Sequence, residues 1–452
     1  MAFRSKLAIF VLLTSFYVWR SQYTLRNSIL TSAPLPDGYF HGGNFSTQCE
    51  TLKDESGNDA LKFCEDATFW DLHDNEAKLE ERKVLISCDS GRKQWNTVMG
   101  PLHKPEPHGS LWLYSPDSEK VATDKPSSLF GFGKTAVVPT KPQRITLKNY
   151  PEGHDFHPLG VKIWPSYAGN SSNLFIVNHA GPRTFIEQFV ISPSSPTVAT
   201  HIRTLSSPYF VSPNALALTS PNSFYVSNDH LVTRRWPIIG HFVPIMETIL
   251  GLPLGWVAHV TLDSDATSSV SIQTHVVAAP FIPFPNGVAV SASGTQVAIA
   301  STSLSQIMMY SRNTSTNELV FQESILVPFC PDNIDFDDND SLIVGGHPHF
   351  PTLVKVVKSV APHAPSWVLS ITPRASESKL TEPPVNYDIL APISAGSKVP
   401  APLNWDVVTL LQSNGVGFSS STVGLQDTKT GALYVSGLYA EEGLLVCRPP
   451  LA

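Results

Sequence analysis

The chain has little charge and little helical pattern. Only 15% of its 452 residues are charged, and 31 Lys plus Arg stand against 38 Asp plus Glu, a net charge of −7. With no basic stripe, nucleic acid is excluded as an expected partner. Apolar residues seldom recur at helical spacing, and 38 prolines interrupt the sequence, so long helices do not form the framework. No nucleophile elbow, phosphate-binding loop or cysteine-protease context occurs, which leaves covalent catalysis without support. The N-terminal apolar run is shorter than the roughly 20 residues of a spanning helix.

That run does have the layout of a targeting segment. Arg4 and Lys6 precede Leu7-Ala8-Ile9-Phe10-Val11-Leu12-Leu13, which continues to Trp19. No small-x-small cleavage site follows, so residues 1–35 read as either a signal peptide or a signal anchor with a short linker, and residues 36–452 as one propeller domain. The expected location is the secretory pathway, with the product secreted or membrane-anchored. Sequons at Asn44, Asn170, Asn313 and Asn339 suit glycosylation there. The five cysteines, Cys49, Cys64, Cys88, Cys330 and Cys447, lie in a compartment that permits disulfides. Cys49 and Cys447 flank the repeat region. The other three are core thiols, or one pair with one left over.

Apolar alternation marks strand after strand, as in Leu174-Phe175-Ile176-Val177, Phe224-Tyr225-Val226 and Leu342-Ile343-Val344. Six such blocks imply an all-β fold, a six-bladed β-propeller; an array of β-sandwiches is the competing arrangement. A short phrase recurs at the head of the strands: Cys64-Glu65-Asp66-Ala67, Pro213-Asn214-Ala215-Leu216, Pro285-Asn286-Gly287-Val288 and Pro331-Asp332-Asn333-Ile334. A fifth copy, Pro158-Leu159-Gly160-Val161, has lost the polar residue. Equivalent positions of repeats face one another, so Glu65, Asn214, Asn286, Asp332 and Asn333 are candidate ligands of one ion. Two carboxylates and three amides, with no thiolate or imidazole, suit Ca²⁺ rather than Zn²⁺. Single instances would be Asx turns opening a strand; copies in register favour the metal.

At these residues the chain resembles the calcium-dependent paraoxonase/arylesterase family, within a wider group of gluconolactonase-like and strictosidine-synthase-like propellers. Glu65-Asp66, Val177-Asn178-His179, Pro213-Asn214, Asn228-Asp229-His230, Pro285-Asn286-Gly287, Asp332-Asn333-Ile334, Gly346-His347-Pro348 and Leu445-Val446-Cys447 carry the resemblance. It implies that Glu65, Asn214, Asn286, Asp332 and Asn333 hold a catalytic calcium. It also implies that a Cys49–Cys447 bridge closes the ring, and that lactones, aryl esters and, promiscuously, phosphotriesters are hydrolysed. The family attributes the base to a histidine pair whose second member matches His179. Its first position is Leu159 here, with His157 two residues earlier as a substitute on the same side of an extended segment. Family members hold a second, structural calcium with an acidic residue where this chain has Ala215, which leaves Asp66 short of a partner and that calcium weakened or absent. Asp229 and His230 are expected to support the site through hydrogen bonds, and His347 to line the channel.

The segment 234–256 carries more apolar residues than an exposed loop should, Trp236, Phe242 and Leu250 among them. It reads as a lid touching membrane or a greasy substrate, or as a helix packed on the propeller top, with Pro237 and Pro244 limiting helix to short pieces. The expected partner is a small hydrophobic ester or lactone. The alternatives are a calcium-stabilised propeller that binds a hydrophobic ligand or partner without turnover, favoured by Leu159, and a strictosidine-synthase-like enzyme, which needs a channel acid that Glu323 is badly placed to supply.

Overall fold

Alternating apolar strands joined by short turns fold as antiparallel meanders. The computed structural model describes residues 2–30, 35, 40–41, 48–54, 60–103, 109–116, 120–123, 135–138, 140–265, 271–374 and 402–449. One four-stranded meander is Pro213–Ser220, Ser223–Asn228, Gly255–Leu262 and Ile272–Ile282, and the next is Pro285–Val290, Gln296–Ser301, Gln306–Arg312 and Leu319–Leu326. Two more, opened by Pro158–Ile163 and by Cys330–Phe336, each gain a short fifth strand at the edge.

The opening strand of each meander packs against the opening strand of the next. The cycle runs from Cys64–His73 through Pro158–Ile163, Pro213–Ser220, Pro285–Val290, Cys330–Phe336 and Ser421–Gln426 back to the first. The architecture is therefore a propeller-like ring of sheets around a channel, not an array of sandwiches. The expectation of six separate sheets is not met. Among the described residues there are five sheets of four or more strands and one two-stranded ribbon. The reason is local: Gly437 pairs with Cys64 and fuses the meander opened by Cys64–His73 to the one opened by Ser421–Gln426, giving a single nine-stranded sheet.

The cores lie between neighbouring sheets. Phe175 and Val177 of one sheet, for example, bury against Leu216, Val226 and Val260 of the next. The ring closes where Gln48–Leu52 pairs with Leu444–Arg448 and sets Cys49 opposite Cys447, and these two form a disulfide. The question left open among the other three cysteines is resolved by pairing Cys64 with Cys88 on adjacent strands; Cys330 is a buried free thiol.

Helices are few. Ala2–Thr24 runs on into a π-helical turn, Leu25–Leu30, and lies against a second helix, Ile239–Leu250. The Tyr17 hydroxyl donates to the Ile249 carbonyl at 2.8 Å and Arg20 Nη1 to the Gly251 carbonyl at 2.7 Å. Among the described residues no helix is long and apolar enough to cross a membrane. Pro244 does not limit the second helix to fragments as expected. It lies inside a 12-residue helix, near enough to the start that only one early backbone bond is forgone, and Gly251 ends the helix in the left-handed conformation at φ 56°. Asn170, Asn313 and Asn339 are exposed; Asn44 lies outside the described residues.

Candidate metal centre

The recurring phrase is a recurring β-bulge. In each opening strand the pairing register slips by one residue at the same place: between Cys64 and Asp66, Pro158 and Val161, Pro213 and Leu216, Pro285 and Val288, Pro331 and Ile334, and Ser421 and Gly424. A bulged residue leaves the ladder and its side chain is re-aimed. The first bulged residue of five strands, Glu65, Leu159, Asn214, Asn286 and Asp332, lines one cavity of about 40 Å³. The sixth bulge, at Thr422, was not read from the sequence because it carries neither proline nor an Asx residue. Glycine follows Asn286 for a steric reason: a Cβ on Gly287 would stand 2.7 Å from the Asp332 carbonyl oxygen and 2.8 Å from the Asn333 Cα.

The donors are oriented by their neighbours. Asn333 Nδ2 donates to Glu65 Oε1 at 2.8 Å, and Asn214 Nδ2 donates to Asp229 Oδ2 at 3.3 Å. Holding the NH₂ end of each amide to a carboxylate turns its carbonyl oxygen the other way. Asp229 in turn accepts from His230 Nδ1 at 2.8 Å, and His230 Nε2 meets the Thr248 hydroxyl at 2.8 Å. Burial alone would raise the Asp229 pKa, but the charge and hydrogen bonds of His230 lower it. A chain of hydrogen bonds thus runs from Asn214 through Asp229 and His230 to Thr248.

Four buried oxygens, Glu65 Oε2, Asn214 Oδ1, Asn286 Oδ1 and Asn333 Oδ1, have no hydrogen-bond partner among the described residues. Unpaired buried polar atoms are costly and rare, and oxygens converging from separate strands are a donor set for a hard cation. No cluster of three His, Cys, Asp or Glu side chains suited to a metal occurs among the described residues; amides supply the majority here. Burial, with Asp66 and then Asp332 beside it, pushes the Glu65 carboxyl well above its ordinary range, a strain that a bound cation would relieve.

Asp66 turns away from this cavity, accepting from the Ala67 and Val161 amides at 2.9 and 2.8 Å. Burial raises it to about 7 even though the Lys162 ammonium nearby pulls it down. Lys162 is paired with Asp335 at 2.5 Å and lines a second cavity at the other end of the same strands. A positive charge of the chain itself therefore stands beside Asp66.

The histidines divide. His347 lines the small cavity; its Nε2 donates to Asp332 Oδ2 at 2.8 Å, and its buried Nδ1 has no partner. His157 donates from Nδ1 to Asp89 Oδ2 at 2.8 Å and also has a free Nε2, but Leu159, not His157, lines the cavity. His179 does not suit the base role expected for it. Its Nε2 donates to the Pro213 carbonyl at 2.7 Å, Nδ1 faces the Thr97 hydroxyl at 2.5 Å, and burial, followed by the Arg235 charge, pushes its pKa down to about 3. A ring with both nitrogens engaged in the interior is held neutral as a structural bridge. Glu323 accepts from Trp405 Nε1 at 3.0 Å on the last strand of its meander, away from the cavity.

A model of the arylesterase family matches residues 104–385. The chain belongs to the arylesterase family. Among curated relatives, mouse serum paraoxonase/arylesterase 1 is 26% identical over 248 residues, 53% of this chain and 62% of that protein. Its human counterpart is 25% identical over 195 residues, 43% of this chain and 50% of that one. The match spans less than two thirds of these relatives. Among solved structures, a gluconolactonase from Xanthomonas campestris is 12% identical with a TM-score of 0.39, covering 93% of this chain and 99% of that one. A luciferin-regenerating enzyme is 11% identical with a TM-score of 0.40, covering 89% and 96%. The two disulfides of the chain fit an oxidising compartment.

Proposed function

We propose that the chain is a calcium-dependent hydrolase of lactones or aryl esters, with phosphotriesters as a promiscuous class. The fused nine-stranded sheet counts as two four-stranded blades and the short added strand Ser166–Tyr167 in this reading, which makes six blades. The observation that carries it is the set of four partnerless buried oxygens contributed by Glu65, Asn214, Asn286 and Asn333. These four with Asp332 would hold the ion.

When bound, Ca²⁺ supplies a Lewis acid toward a carbonyl oxygen and the charge that offsets the buried carboxylates. The chain's own residues supply the rest. Asp332 fixes the tautomer of His347 by accepting from Nε2, which leaves Nδ1 to take a proton from attacking water. His157, oriented by Asp89, is the reserve base. Leu159 makes that side of the cavity apolar, where it favours the hydrocarbon part of an ester. With a volume of about 40 Å³ the cavity holds an ion and little more, so a substrate needs the roof of Phe284, Phe350 and Leu353 to part. The same small volume and Leu159 favour a second reading, a calcium-stabilised propeller that binds without turnover.

A membrane or lipid surface is the proposed setting. Phe10, Leu12 and Trp19 on the first helix, and Phe242 and Ile249 on the second, are all more than half exposed, apolar side chains that a lipid surface would cover. Secretion or retention on a membrane in the secretory pathway goes with it.

The test is hydrolysis of a lactone and aryl-ester panel with calcium, after chelation and after its return. Activity lost and regained supports the hydrolase. Calcium-dependent stability without turnover supports the binding propeller.

A further inference from the structure

A larger cavity, of about 420 Å³, adjoins the small one. Met99 lines both, and the helix Phe350–Val357 forms the common wall, with Phe350 and Leu353 on the side of the candidate metal centre and Val354 and Val357 on the other. The larger cavity collects basic groups: Lys93, His103, Arg234 and Lys358 line it, and no carboxylate does among the described residues. In a chain of net charge −7, such a concentration of one sign focuses positive potential in a cleft.

Two of these groups have ordinary structural reasons for being there. Lys358 caps the C-terminus of its helix, where a cation is favoured, and Lys93 reaches Glu441 at 3.0 Å. Arg234 has no such reason. It is half-buried, meets no carboxylate among the described residues, and lays its guanidinium over Gly100, where a Cβ would stand 3.1 Å from Nη2. A half-buried guanidinium without an anion is a fork ready for a carboxylate, which it binds through two parallel hydrogen bonds.

We propose that this cavity is a subsite for a small organic carboxylate, held by Arg234 with Lys358 and His103. Resting on the hydrolase reading above, it makes the substrate class esters or lactones whose acyl part carries a second, remote acidic group. The scissile carbonyl then lies in the small cavity and the carboxylate beyond Met99. Binding is non-covalent, and the hydrolysis itself adds water across the ester bond and releases an acid and an alcohol.

The test is calorimetric titration of the full chain with glutarate at low ionic strength, where charge recognition is least screened, with calcium and again after chelation. It needs no turnover, so its outcome is independent of whether the chain is a hydrolase. One saturable site is expected, present in both conditions. Arg234→Gln should weaken it by about tenfold or more and Lys358→Gln by less, equivalent to about 1.4 kcal/mol for each factor of ten, with unchanged thermal melting. Inorganic phosphate is the second probe. Phosphate binding with the same dependence on Arg234 while glutarate does not bind would overturn the carboxylate class. No binding of glutarate, binding only with calcium present, or binding indifferent to both variants would overturn the subsite.

Discussion

His347 donates from Nε2 to Oδ2 of Asp332 at 2.8 Å, both side chains buried, and its Nδ1 faces no partner. The imidazole is held in one tautomer by a carboxylate that belongs to the candidate metal centre. His347→Gln is expected to lower kcat on the order of 10²- to 10⁴-fold, the usual contribution of a positioned base, while calcium-dependent melting persists. Parallel kinetics on His179→Gln should show mainly a loss of stability of about 1–2 kcal/mol from its severed interior hydrogen bonds. The reverse pattern would return the base role to His179.

Chelation should lower the melting temperature. An ion present at a thousand times its dissociation constant stabilises the folded state by about 4 kcal/mol. Asp332→Ala is expected to abolish that calcium-dependent increment, because it removes one of two carboxylates from a site otherwise made of amides. Equal melting of the variant with and without calcium, measured by calorimetry beside the wild type, checks this.

Lys162 stands next to Asp66 and pairs with Asp335. One calcium per chain is expected in equilibrium dialysis, since the ammonium already supplies charge to the second carboxylate pair. Lys162→Met leaves the buried Asp66 and the partly exposed Asp335 without their cation and should cost up to about 3 kcal/mol, read from denaturant unfolding; a stoichiometry of two in the wild type would overturn the assignment.

Acid should destabilise the fold before the ordinary carboxylates titrate. Burial, with the Arg312 charge behind it, pushes the His259 pKa down to about 4. The unfolded chain binds that proton first, at the ordinary histidine value near 6.5, so stability is full above about 6.5 and is lost as pH falls toward 4. His259→Gln should flatten the fall of melting temperature over this window, a comparison made by melting both proteins across pH 4 to 7.

Cys49 and Cys447 sit opposite one another where the first and last strands pair. Replacing both with Ser should lower stability by up to about 6 kcal/mol, the chain-entropy figure for so long a loop. Peptide mapping under non-reducing conditions should find Cys64 linked to Cys88 and Cys330 free.

Part of this was legible in the residues. Pro213-Asn214 and Pro285-Asn286-Gly287 announce themselves because a bulge that aims an amide at the channel also requires a strand to open there and, at Gly287, a residue without Cβ. The bulge at Thr422 stayed hidden, since its geometry comes from pairing with Leu433–Gly437 and not from a local turn residue.

What the sequence alone determined is periodic or local chemistry: alternating strands, a repeated oxygen-bearing phrase, an acidic chain with an apolar run near its start. The tertiary structure decided which groups meet. Whether His179 or His347 presents a free nitrogen depends on Pro213, Thr97 and Asp332, which lie on other strands and loops. The same holds for the fusion at Gly437 and Cys64, the Lys162–Asp335 pair and the basic cavity around Arg234. These last three join residues far apart in the chain, and closure of the ring, not any local propensity, brings them together, whereas His347 meets Asp332 across one antiparallel strand pair.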